Sequence, residues 1–166
     1  MPAIINVAGA TPVSVGTGSA GALEPLGYTR DGCSLTFESF VYEVHSDDYG
    51  GESGPPIDIQ YMGETVRIRL ELTKYDEAVA DKIRCRLRGG TAGTVGATGS
   101  LMLSSNGVTS LAYRICLISP TRPLNFPICV FKEPIEINKG TKFSTLVLDG
   151  TAYRNSSGLL WDTTTA

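Results

Sequence analysis

The chain has 166 residues, of which 42% are hydrophobic and 19% charged, and it carries a net charge of −3. That length makes one domain with a core of its own, and the missing basic excess excludes a general nucleic-acid binder, which shows a basic face. No apolar run reaches the roughly 20 residues that span a bilayer. No basic-then-apolar segment opens the chain, so an oxidising compartment is not implied. With 19 glycines, the composition is that of a mainly β chain with many turns.

Residues 1–26 hold no charge before Glu24 and are rich in Gly, Ala, Ser and Thr. They read as a flexible arm with one short strand around Val13–Val15, ordered on a neighbour. Residues 27–166 read as a single β-rich domain. Asp31-Gly32 is a turn signal before a strand over 33–44, where Leu35, Phe37 and Val41 alternate with Thr36, Glu38 and Tyr42, although Phe40 blurs the alternation. The segment 45–56 (HSDDYGGESGPP) is a loop, too long for a simple hairpin, which suits contact with a neighbouring subunit.

The clearest signal follows. Residues 57–62 and 64–72 form a strand broken at Gly63, with Val66, Ile68, Leu70 and Leu72 on one face and Arg67, Arg69 and Glu71 on the other. From Lys74 the period changes to four at Tyr75, Val79, Ile83 and Leu87, which predicts a helix over 73–88. Thr73 or Asp76 is its cap, acids stand near its start, and Lys82, Arg84, Arg86 and Arg88 lie in its last turns, as the helix dipole favours. Gly89-Gly90 ends it and opens a low-complexity loop to 100. Asn106-Gly107 predicts a hairpin joining strands at 101–103 and 109–118. Further strands are expected at 128–131, 135–137 and 143–148. Together these imply a β-sandwich or partly open β-barrel of about eight strands with one flanking helix.

Chemistry-bearing patterns are sparse. GTGSAG at 16–21 matches a dinucleotide-binding glycine pattern, but Pro25 and a strand follow where a helix is needed. Asp47, Asp48 and Glu52 lack the oxygen spacing of an EF-hand. His45 is the one histidine and has no nucleophile elbow beside it. Cys33, Cys85, Cys116 and Cys129 show no zinc spacing and read as buried free thiols. No cofactor, no metal and no enzymatic activity are expected. The charged strand face reads either as a solvated surface with cross-strand ion pairs or as a subunit interface or channel wall.

Segment 31–83, from DGCSLTFESF through GETVRIRLEL to the helix, resembles the core of bacteriophage tail tube proteins, and 123–150 (PLNFPICVF to STLVLDG) resembles their closing strands. The resemblance spans about residues 26–150 and rests on a pattern of elements. It implies a virion structural protein that assembles into stacked hexameric rings, with the long strands of neighbours joined in one barrel around a lumen through which phage DNA passes without specific binding. It implies assembly in the host bacterial cytoplasm, and partners among terminator, baseplate and sheath proteins. It places 57–60 and 66–72 in the lumen-lining sheet and 73–88 outside. Asp47, Asp48, Glu52, Asp58, Glu64, Arg67, Arg69 and Glu71 are the interface or lumen candidates, with the arginines expected to pair with Glu71, Glu64 or Asp58. A neck, tail-terminator or capsid decoration protein is the alternative.

Overall fold

Two strands of unusual length organise the molecule. The structure, a computed structural model, describes residues 11–17, 22–87, 113–117, 122–132, 134–140 and 144–163. Strand β2 (Glu24–Val44) has 21 residues and β3 (Asp58–Tyr75) has 18, and they pair antiparallel along nearly their whole length. Around them run β1 (Pro12–Thr17), helix α1 (Glu77–Leu87), β4 (Tyr113–Leu117), β5 (Leu124–Val130), β6 (Glu136–Lys139) and β7 (Ser144–Tyr153).

The antiparallel order is β3-β2-β1-β4-β5-β7, and β7 pairs back onto β3, so hydrogen bonds run round a six-strand circuit. Strand β6 pairs with 144–147 of β7, next to the place where β5 pairs with 151–153. The mainly β fold with one helix is as the sequence implies, and the circuit closes in hydrogen bonds through all six strands.

The alternation of β3 sets the core. Val66, Ile68, Leu70 and Leu72 are fully buried and face Leu146, Leu148 and Ala152 of β7 through direct register pairs. Tyr113, Ile115, Leu117, Phe126, Val13 and Val15 complete the same cluster. Tyr113 packs its ring on Phe131 at 5.5 Å between centroids, and its hydroxyl donates to the Ile83 carbonyl of α1 at 2.6 Å. Opposite Ile68 stands Gly150, where a Cβ would lie 2.8 Å from Cys129 Sγ and 3.0 Å from the Phe131 ring. The chain crosses its own core too closely there for any side chain.

Three expectations need correction. The segment 73–75 belongs to β3, and α1 starts at Glu77. Tyr75 pairs with Gly27, so its apparent place on the helical stripe comes from a strand end. Asp76 caps the helix, accepting from Ala78 N at 2.9 Å and Val79 N at 3.2 Å. Within the expected arm, 12–17 and 24–26 are integral to the sheet: β1 lies between β2 and β4, with Val13, Val15 and Leu26 buried. Low charge there reflects burial against long-range partners. Residues 1–10 and 18–21 of the arm lie outside the described residues, as do the expected strand at 101–103 and the Asn106-Gly107 turn. The strand expected at 128–131 begins earlier, at Leu124. Pro127 is accommodated because a register shift between Tyr113 and Ile115 of β4 leaves it without a partner.

The end of the chain closes an edge. Asn155 Oδ1 accepts from Ser157 N and Leu159 N, turning the chain after β7. Asp162 then bridges to Asn125 through two backbone bonds of 2.9 Å and a side-chain bond of 3.0 Å. Asn125 is 3% exposed and also accepts from Arg114 Nε at 2.8 Å. This strap covers the part of β5 that β7 does not reach.

Candidate assembly surface

Beyond the body, β2 and β3 continue as a free two-stranded ribbon. The last β7 partner of β3 is Ala152, opposite Val66. The last β1 partner of β2 is Pro12, opposite Tyr28. Among the described residues, 38–44 and 58–65 therefore pair only with each other. Eight residues at about 3.3 Å each give a projection of roughly 26 Å. The ends join through two 3₁₀ turns, Asp47–Tyr49 and Gly51–Ser53, with Gly50 between them at φ 94°, a left-handed conformation that favours glycine.

Residues directly opposite on antiparallel strands point to the same face. By register, Val41 with Tyr61 and Glu43 with Ile59 share one face. Phe40 with Gly63, Tyr42 with Gln60 and Val44 with Asp58 share the other. A register shift at Phe40/Val41 leaves Met62 unpaired beside Gly63, which has φ 136°. Both faces are thus apolar and wet. Of the eleven exposed large hydrophobic residues among those described, nine stand on the ribbon or its tip: Phe37, Phe40, Val41, Tyr42, Tyr49, Ile57, Ile59, Tyr61 and Met62, each between 49% and 67% exposed. The other two are Tyr28 and Leu159.

Charge is segregated as well. Residues 37–66 contain Glu38, Glu43, Asp47, Asp48, Glu52, Asp58 and Glu64, and no Lys or Arg. The ribbon is therefore at −7 in a chain at −3 overall. His45 sits at its far end with Nε2 3.6 Å from Glu43.

The sequence candidates fall into two groups. Asp47, Asp48 and Glu52 are in the tip turns, Asp58 and Glu64 on the ribbon, and all belong to its acidic set. Arg67, Arg69 and Glu71 lie on the outer face of the body, beside Asp149 and Thr151 of β7. The expected pairing of the arginines is corrected here. Arg67 donates to Asp149, Nε to Oδ1 at 3.0 Å and Nη2 to Oδ2 at 2.8 Å. These hydrogen bonds, opposed by partial burial, hold the Asp149 carboxyl below the usual carboxylate range. Glu71 is met by Arg30 at 3.7 Å. Asp58 accepts from the neighbouring Ile59 N.

Arg30 reaches Glu71 because β2 carries surplus residues there. Thr29 pairs with Leu72 and Cys33 with Leu70, so three residues of β2 face one of β3. The buried Thr29 hydroxyl holds the excursion by accepting from Thr11 N at 2.7 Å and Gly32 N at 3.2 Å. The result is an open concavity lined by charged groups of both signs, Arg30, Asp31, Arg69 and Glu71. Cys33, Cys116 and Cys129 are free thiols, and burial raises the pKa of each.

Sequence reasoning missed the ribbon as an apolar element. Its signal was there: large apolar residues at both odd and even positions over 37–42, and a carboxylate-only charge set.

No protein-family model matches the sequence, and no curated protein matches it. The fold is similar to that of a chain in the solved tail of an empty GTA (gene transfer agent) particle, determined with helical refinement and C6 symmetry. The two superpose with a TM-score of 0.52 and 10% identity, over 93% of this chain and 96% of that one. At that identity the likeness establishes the fold alone: this chain has the fold of a chain found in the tail of that particle.

Proposed function

We propose that this protein is a structural component of a phage-like tail, assembling with copies of itself through the ribbon. The observation that carries the reading is the ribbon's exposed apolar surface. At about 100 Å² for each of the nine side chains, half or more of what an aromatic can bury, it offers roughly 900 Å². Summed over the two faces and the tip, that is comparable to the ~800 Å² per partner of a stable interface. Among the described residues the outer edges of β2 and β3 along the ribbon are also unpaired, and they carry neither Pro nor Lys, the usual protections of a lone edge. A neighbouring copy supplies what both lack.

The finer reading is a tail tube of stacked hexameric rings. The C6 symmetry of the similar tail supports it. In that arrangement the outer face of β2, β3 and β7 lines the lumen. On the body its side chains are mostly polar, Val147 opposite Glu71 being an exception, with Arg67 matched by Asp149 and Arg30 by Glu71. A wall so balanced lets phage DNA pass without holding it. The role is architectural and non-enzymatic, located in the virion tail after assembly in the host cytoplasm, with other tail proteins at the ends of the stack.

Negative-stain microscopy of the purified chain over rising concentration tests this. Stacked rings or tubes about 100 Å wide, the order of size for six such domains around a pore, are the expected result. Single rings that never stack indicate a neck or terminator component. A monomer at every concentration rejects self-assembly.

A further inference from the structure

We infer that the acidic ribbon of one copy docks on the strap and β5 surface of the next copy, a head-to-tail contact selected by opposite charge. The inference rests on the self-assembly reading above and names the partner surface that reading leaves open.

The charge pattern points away from ribbon-on-ribbon contact. Two ribbons at −7 repel each other. The complementary block is residues 82–132, with seven Lys or Arg and no carboxylate. In the described part of that block, Lys82 on α1 is held by Glu24, while Arg122 and Lys132 are exposed and bracket β5. Arg122 stands 5.0 Å from the centre of the Trp161 ring, and Lys132 stands 5.3 Å from that of Tyr153. Exposed Arg154 opens the strap, and Leu159 on it is one of two large apolar side chains exposed outside the ribbon among the described residues. The strap's Asp162 is engaged by Asn125. The surface therefore mixes cations with apolar groups, as the ribbon mixes carboxylates with apolar groups.

Lengths agree as well. Ten residue steps from Arg122 to Lys132 span about 33 Å if extended, and the ribbon's eight residues span about 26 Å. Donor and acceptor are different surfaces, so the contact does not close on itself as a two-fold dimer does. It propagates into a ring or a filament.

The test uses two surface variants of the full chain. One carries Glu38→Lys, Glu43→Lys, Glu52→Lys and Asp58→Lys. The other carries Arg122→Glu, Lys132→Glu and Arg154→Glu. Each alone is expected to need a concentration about tenfold higher or more to assemble, since its two surfaces now repel. An equal mixture is expected to recover assembly, because each ribbon then meets a surface of opposite sign. Either variant assembling alone as the parent does overturns the inference. So does a mixture that stays dispersed while the parent assembles, and in that case self-assembly itself stands. A parent that is monomeric at every concentration overturns the inference together with the reading beneath it. Carbodiimide coupling in the assembled parent decides the matter should a variant fail to fold. Lys132 of one copy joined to a carboxylate between 38 and 64 of another is expected, and ribbon carboxylates joined only to other lysines overturn the inference.

Discussion

Arg67 and Asp149 clasp each other diagonally across β3 and β7, guanidinium to carboxylate through two hydrogen bonds, although 82 positions separate them in the chain. Arg69 is the residue directly opposite Asp149 in register. The clasp lies over the buried pair of Ile68 with Gly150, next to that of Leu70 with Leu148, so it ties the seam that closes the circuit.

The sign of its pH dependence follows from the lowered Asp149 pKa. A carboxyl depressed on folding adds stability above its unfolded pKa of about 3.9, and that stability is lost as pH falls through the folded value. Arg67 is half exposed, so the contribution is about 1 kcal/mol or less. Arg67→Met is expected to lower the urea midpoint at pH 7 and to leave it at the parent's value near pH 2. A difference that persists undiminished in acid would assign the effect to packing of the Arg67 stem.

Replacing Val41, Tyr42 and Tyr61 with serine separates assembly from folding. All three are more than half exposed and touch no part of the core cluster. The melting temperature of the monomer is expected to stay within a few degrees, while sedimentation shows assembly lost. A variant that assembles normally would remove the ribbon from the interface.

Tyr113→Phe deletes the hydroxyl that donates to the Ile83 carbonyl and keeps the ring on Phe131. A loss of about 1 kcal/mol is expected in chemical denaturation. Hydrogen exchange should be faster in α1 than in β3, because that bond fastens the helix to the sheet.

Asn125→Leu leaves the Asp162 carboxylate and Arg114 without their shared amide. The expected cost is about 2–3 kcal/mol, with Trp161 fluorescence moving toward the solvent-exposed value as the strap lifts from β5. Unchanged emission with lowered stability would locate the damage within β4 and β5.

The alternation from Val66 to Leu72 was legible because one face of β3 is core and the other is wet along seven residues. The candidate acids at 47, 48, 52, 58 and 64 were legible as members of a loop and a strand, and their membership in one acidic ribbon emerges when the sequence is counted by sign. The helix start was misplaced because Tyr75, at a strand end, matched the helical stripe by chance. Strand β1 was read as arm because a six-residue strand takes its burial from β2 and β4, which lie far along the chain. The partner of Arg67 was hidden for the same reason. Exposure of both ribbon faces was beyond reach, since an apolar residue at either parity is read as core unless the partner sheet is known to stop at Ala152.

The unbroken passage of β2 and β3 from body to ribbon has a mechanical consequence. A pull on the ribbon tip along the strands acts on the β3–β7 seam in shear. Hydrogen bonds there lie across the direction of load, and the paired residues from Val66 to Leu72 share it at once. A lattice tethered through such ribbons yields by rupturing a whole ladder together, so it withstands traction far better than one whose joints peel open one bond after another.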